Sequence, residues 1–165
     1  MSIKGRAWKY GDHINTDVIF PGKYTYTITD PEEMGPHAME DLDPEFAKNV
    51  KPGDCVVGGK NFGCGSSREQ APQSIKVAGA SVIIARGFAR IFYRNCINLG
   101  LPALVSSEAV DAIEHGDQVE VDLDKGTITT KKGVFTFPPF EGYAKTIIDN
   151  GGLIPHTRKM LGIDP

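Results

Sequence analysis

Between residues 54 and 99 the chain alternates between two kinds of segment. Residues 54–58 (DCVVG) and 80–85 (ASVIIA) are short apolar runs rich in β-branched side chains. Runs without a polar break suit strands covered on both faces. Each is followed by a stretch of helical character. Residues 72–78 (PQSIKVA) form a helix closed by Gly79, a residue able to take the left-handed turn at a helix end. Residues 88–99 (FARIFYRNCINL) place Phe88, Ile91, Phe92, Asn95 and Leu99 on one face at helical spacing, and Gly100 stops the helix. Strand, helix, strand, helix requires a crossover, and a crossover makes neighbouring strands parallel.

The C-terminal third has a different rhythm. GDQVEVDLDKGTITTKKGVFTF alternates apolar and polar residues around turns at Lys125-Gly126 and Lys132-Gly133, the pattern of a hairpin pair. A last helix is expected near residues 141–150, ending at Gly151-Gly152. The chain of 165 residues is long enough to bury one core without disulfide help. The expectation is therefore a single α/β domain over residues 1–165, with a mixed sheet and a small antiparallel β-layer. Residues 29–49 (TDPEEMGPHAMEDLDPEFAKN) are acidic, carry three prolines and exceed an ordinary connection. They hold short helices or form a mobile loop that serves as a lid.

Charge and cysteine usage exclude several classes. A net charge of -3 provides no basic field for nucleic acid or an anionic membrane surface. No apolar run approaches a membrane span, and MSIKGRAWKYGDHIN lacks the apolar core of a secretion signal. A cytoplasmic chain is expected. Cys55, Cys64 and Cys96 are odd in number and unevenly spaced, and His13, His37, His115 and His156 are scattered. A metal site built from this chain alone is not expected, and the thiols read as reduced and partly buried.

Three clusters carry chemistry. The first is NFGCGSSREQAP, residues 61–72, in which Ser66 and Glu69 fit the S-x-x-E capping box. Pro72 complicates the cap, because a proline inside a helix costs roughly 3 kcal/mol. Two forms remain: a capped turn kinked at Pro72, or a tight loop with the helix beginning at Pro72. Either exposes backbone N–H groups beside Gly63 and Gly65, an arrangement that attracts anions. Arg68 adds a fork suited to carboxylate or phosphate. G-x-G without a third glycine or a following G-K-[ST] argues against a nucleotide, and no G-x-S-x-G elbow marks a serine hydrolase. The second cluster is GDHINTDVIFPG, residues 11–22, where Asp12, His13, Asn15, Thr16 and Asp17 precede an apolar run and shape a turn or a site. The third is Arg86, Arg90 and Arg94; Arg90 and Arg94 share a helix face that is solvated or turned toward a partner or an anion.

GDHINTDVIFPGKY, NFGCGSSREQAP, ARGFARIFYRNCINLGLPAL and GGLIPHTRK occur in an order that resembles the small subunits of isopropylmalate isomerases and the swivelling domain of aconitase. The likeness spans almost the whole chain. It implies a swivelling β/β/α domain and a hydro-lyase that moves a hydroxyl between adjacent carbons of a small diacid, as in leucine biosynthesis. It implies that Ser66 is the base, that Ser67 and Arg68 hold substrate carboxylate beside Gly65, and that Asp12 belongs to an active-site segment, with Thr16 and Asp17 near it. A [4Fe-4S] cluster is then expected on a separate large subunit, leaving this chain inactive alone and open to self-association. The segment tuning substrate choice corresponds to Tyr24, Thr25, Tyr26 and Thr27. Isopropylmalate-selective members carry an arginine there and this chain does not, which leaves homoaconitate- and citramalate-type substrates, or a non-catalytic anion-binding module, as alternatives.

Overall fold

The computed structural model describes residues 1–163, so the expected domain end at 165 lies outside the described residues. The chain runs β1 (Ser2–Lys9), α1 (Thr16–Ile19), a 3-10 turn (Gly22–Tyr24), α2 (Pro31–Met34), a second 3-10 turn (Gly35–His37), α3 (Phe46–Asn49) and β2 (Cys55–Val57). It continues through α4 (Gln70–Ala78), β3 (Val82–Ala85), α5 (Arg90–Asn98), β4 (Ala103–Val105) and α6 (Ser107–Ala112). It closes with β5 (Gln118–Asp122), β6 (Thr127–Thr130), β7 (Gly133–Thr136), α7 (Gly142–Asp149) and α8 (Leu153–Met160).

The strands form one sheet in the order β4-β3-β2-β1-β5-β6-β7. The first four are parallel, with Ala7 opposite Cys55, Val56 opposite Ile83 and Ile84 opposite Leu104. From β1 onward the pairing is antiparallel, through β5, β6 and β7. The α/β class and the mixed sheet with an antiparallel part are as expected. The strand that joins the halves, β1, was not foreseen, because SIKGRAWK shows little apolar periodicity and only Ala7 and Trp8 are fully buried.

Alternation along β3 builds two cores, one on each face. Ile83 packs with Phe20, Met39, Phe46, Phe62, Ile75 and Phe92. Val82 and Ile84 pack with Val57, Leu104, Ile113, Val121 and Ile128. Residues 29–49 turn out to hold short helices, and Met34, Ala38, Met39 and Phe46 bury into the first core.

Four local expectations need correction. The helix begins at Gln70, so Pro72 falls in its first turn, where a missing N–H costs little and no kink is required. The capping box does not form: Glu69 takes the cap position and no side chain bonds the helix start. On α5 the buried side chains are Phe92, Cys96 and Ile97, while Ile91 is 53% exposed. Beyond Gly151-Gly152 the chain forms a further helix, α8, so the one before it is not the last.

The amino ends of the parallel strands are tied together by polar groups. Asp54 Oδ1 accepts from Arg6 N at 2.8 Å, and Oδ2 accepts from Trp8 Nε1 and Lys51 N, each at 3.0 Å. Burial alone would raise this carboxyl's pKa, but those three donors and the Arg6 guanidinium outweigh it and hold it below the usual value. Nearby, Lys76 Nζ donates to Leu99 O at 2.5 Å and lies 3.4 Å from Gly151 O, carbonyls at the ends of α5 and α7.

Candidate active site

The parallel strands β2 and β3 end at Val57 and Ala85, and the chain leaving each leads to the N-terminus of a helix, α4 or α5. Both helix N-termini therefore lie at the carboxyl edge of the sheet, where open α/β folds bind ligands. A cavity of about 260 Å³ opens there. Thr16, Gly63, Gly65, Ser66, Ser67 and Arg68 line one part, and Ala89, Arg90, Ile91, Phe92 and Asn95 line the rest.

The loop before α4 is held by the segment that opens α1. Gly63 N donates to Ile14 O, Thr16 N to Cys64 O, and Thr16 Oγ1 to the carbonyl of Ser66, each at 2.8 Å. Gly63 and Gly65 have φ of 82° and 95°, in the left-handed region. A Cβ at Gly63 would lie 2.0 Å from Phe92 Cγ, and one at Gly65 would lie 2.6 Å from the Asn15 amide. The two glycines let the loop press against α5 and α1.

That loop leaves its polar groups open. Among the described residues, the backbone N–H groups of residues 65–69 donate to no acceptor of the chain, and neither the Ser66 nor the Ser67 hydroxyl has a partner. Both serines are exposed. Arg68 Nη1 lies 2.5 Å from Asp17 Oδ1, but it is buried and out of line for a hydrogen bond, so the contact is ionic. Open amides, two helix N-termini and guanidinium groups together make a positive pocket for an anion.

The remaining expected site residues fall at varied distances from the cavity. Asp17 reaches it through Arg68. Asp12 does not line it; its Oδ1 accepts from Lys60 N at 2.7 Å and packs on Gly59, which fixes the start of the loop. Tyr24, Thr25, Tyr26 and Thr27 lie outside the lining as well. The Tyr24 ring packs on His37 with centroids 4.0 Å apart and its hydroxyl reaches Glu40 at 3.3 Å, while Tyr26 is 93% exposed. This segment approaches the site through Gly22, whose Cβ position is 3.0 Å from Arg68 Nη1. Arg90 lines the cavity, in keeping with the anion-facing alternative for its helix face, and so does Asn95, for which the sequence suggested no site role.

The cysteines do not fit a metal cluster. Burial pushes the Cys55 thiol up to about 12 and raises Cys96 as well, and Cys64 alone sits near the loop. Among the described residues no three His, Cys, Asp or Glu side chains converge to hold a metal ion. No helix among them is long and apolar enough to cross a membrane.

Residues 12–109 match the family model of the aconitase C-terminal domain. A protein of Caldanaerobacter subterraneus subsp. tengcongensis named 3-isopropylmalate dehydratase small subunit is 57% identical over 159 residues, 95% of this chain and 98% of that protein. This chain belongs to the 3-isopropylmalate dehydratase small-subunit family. A family member from Thermodesulfovibrio yellowstonii is 45% identical over 166 residues, 99% of this chain and 98% of its own. The crystal structure of a 3-isopropylmalate dehydratase from Methanocaldococcus jannaschii superposes with a TM-score of 0.91 at 46% identity, covering 98% of this chain and 96% of that one. The aconitase-type match contains every residue that lines the cavity. A family of small subunits implies a large-subunit partner.

Proposed function

We propose that this chain is the small subunit of a two-chain hydro-lyase that converts 2-isopropylmalate to 3-isopropylmalate by dehydration and rehydration, a step of leucine biosynthesis. The observation that carries the chemistry is the unpartnered Ser66 hydroxyl beside the open amides of residues 65–69. A serine is a weak base unless its alkoxide is stabilised, and preorganised N–H dipoles with a neighbouring guanidinium supply that stabilisation. Ser66 Oγ takes the carbon-bound proton and later returns it to the alkene. Ser67 and Arg68 hold a substrate carboxylate, and Asp17 fixes the Arg68 fork. Thr16 positions Ser66 through its carbonyl, and Asp12 anchors the loop from outside.

The departing hydroxide needs a Lewis acid, which a [4Fe-4S] cluster supplies when bound. The separated cysteines of this chain, two of them buried, do not fit that cluster, so the reading places it on the large subunit and makes the site composite. Gly22, which lies against Arg68, leads into residues 24–27, and we take those as the candidate specificity segment. The test is reconstitution. The chain mixed with an iron-loaded large subunit is expected to turn over 2-isopropylmalate faster than homoaconitate or citramalate, and the chain alone is expected to be inactive. Turnover by the isolated chain, or none by the pair, contradicts the reading.

A further inference from the structure

The cavity contains two guanidinium groups in different electrostatic states. Arg68 is compensated by Asp17. Arg90, the first residue of α5, lines the same cavity, is exposed, and has no carboxylate partner among the described residues. The other two arginines of that stretch behave differently: Arg86 is paired with Asp111, and Arg94 lies outside the cavity lining. The first turn of α5 carries no acidic side chain, so its N-terminal dipole adds to the charge of Arg90.

We propose that Arg90 binds the second carboxylate of a dicarboxylate substrate while Arg68 holds the first. This assignment rests on the cavity being the hydro-lyase site proposed above. The Arg68–Asp17 pair is nearly neutral and matches one carboxylate only by displacing or sharing Asp17. Among the residues this chain contributes to the lining, Arg90 is the one uncompensated cation available to a second carboxylate. Attachment at two points also fixes which carbon of the diacid faces Ser66.

The test uses the reconstituted two-subunit enzyme at saturating large subunit, with Arg90→Gln and Arg90→Lys. Wild-type turnover of 2-isopropylmalate establishes the underlying reading first; without it that reading fails independently of Arg90. Arg90→Gln is expected to raise KM by roughly ten- to a hundredfold with a smaller change in kcat, and Arg90→Lys to recover part of the loss. Competitive inhibition by succinate is expected to weaken by a similar factor in Arg90→Gln, and inhibition by propionate by less than about twofold. An unchanged KM overturns the proposal, as does equal weakening of succinate and propionate. A defect that disappears as the large subunit is raised assigns Arg90 to subunit contact instead and also overturns it. Circular dichroism of both variants verifies that α5 is retained.

Discussion

The two ends of the parallel strands both carry a cleft beside a basic side chain, yet only one is suited to bind an anion. The cleft at the amino end is the larger, about 570 Å³ against about 260 Å³. Its lysine, Lys76, is committed to the carbonyls that end α5 and α7, and burial lowers its pKa. Its neighbour Asp54 is surrounded by donors. At the carboxyl end the balance is reversed: residues 65–68 line the cavity, and among the described residues their amides, the Ser66 and Ser67 hydroxyls and Arg90 have no protein partner. Donors and hydroxyls that no protein group occupies are free to bind an anion in place of water. The site is therefore identified by unmet hydrogen-bonding capacity, and cavity volume points to the wrong end.

This contrast predicts that substitutions of the unpartnered polar groups at the carboxyl end change turnover, whereas substitutions of the paired groups at the amino end, and of the packed glycines that hold the loop, change stability. The largest effect is expected from Ser66→Ala in the reconstituted pair, a fall in kcat of about 10²–10⁴ with KM little changed. If turnover persists and only binding weakens, the pocket is an anion-binding module. Gly63→Ala forces a Cβ into the Phe92 ring at a left-handed φ and is expected to destabilise the fold by about 3 kcal/mol, read from thermal melts.

Asp54→Asn is expected to cost about 2 kcal/mol at neutral pH, by loss of charge-assisted hydrogen bonds. The carboxyl's folded pKa lies below its ordinary 3.8, so its stabilisation is complete above that value and fades as pH falls through the folded one. Urea melts should show the gap between variant and wild type narrowing as pH drops below about 4. The smallest effect is expected from Lys76→Met, about 1 kcal/mol of stability with kcat and KM unchanged. A large loss of turnover in Lys76→Met would undo the contrast between the two ends.

The parts of the fold that could be read from sequence are those where one local pattern decides. The apolar runs of β2 and β3 and the glycine turns of the β5–β7 hairpins need no distant partner to be recognised. The strand β1 could not be read that way, since SIKGRAWK becomes a strand by pairing with β2 on one side and β5 on the other. Helix α5 misled because Ile91 keeps helical spacing yet faces the cavity, where solvent or a partner covers it. The loop from Gly63 to Arg68 stands out in the sequence because two glycines and two serines precede an arginine; the structure seats the glycines against Phe92 and Asn15 and leaves the serine hydroxyls without partners among the described residues. Asp12 lies outside the cavity lining of this chain, with its Oδ1 accepting from Lys60 N. Arg90 was grouped with Arg86 and Arg94 because only the tertiary structure separates the paired, the solvated and the cavity-facing arginine.

Pre-steady-state formation of the alkene diacid from 3-isopropylmalate, followed by its absorbance at saturating substrate and large subunit, isolates the proton-abstraction step from binding. The wild-type pair should produce the alkene in a fast single turnover, and Ser66→Ala should bind substrate with similar affinity while forming it at least about 100-fold more slowly. Alkene formation by Ser66→Ala at the wild-type rate would mean that this hydroxyl is not the base.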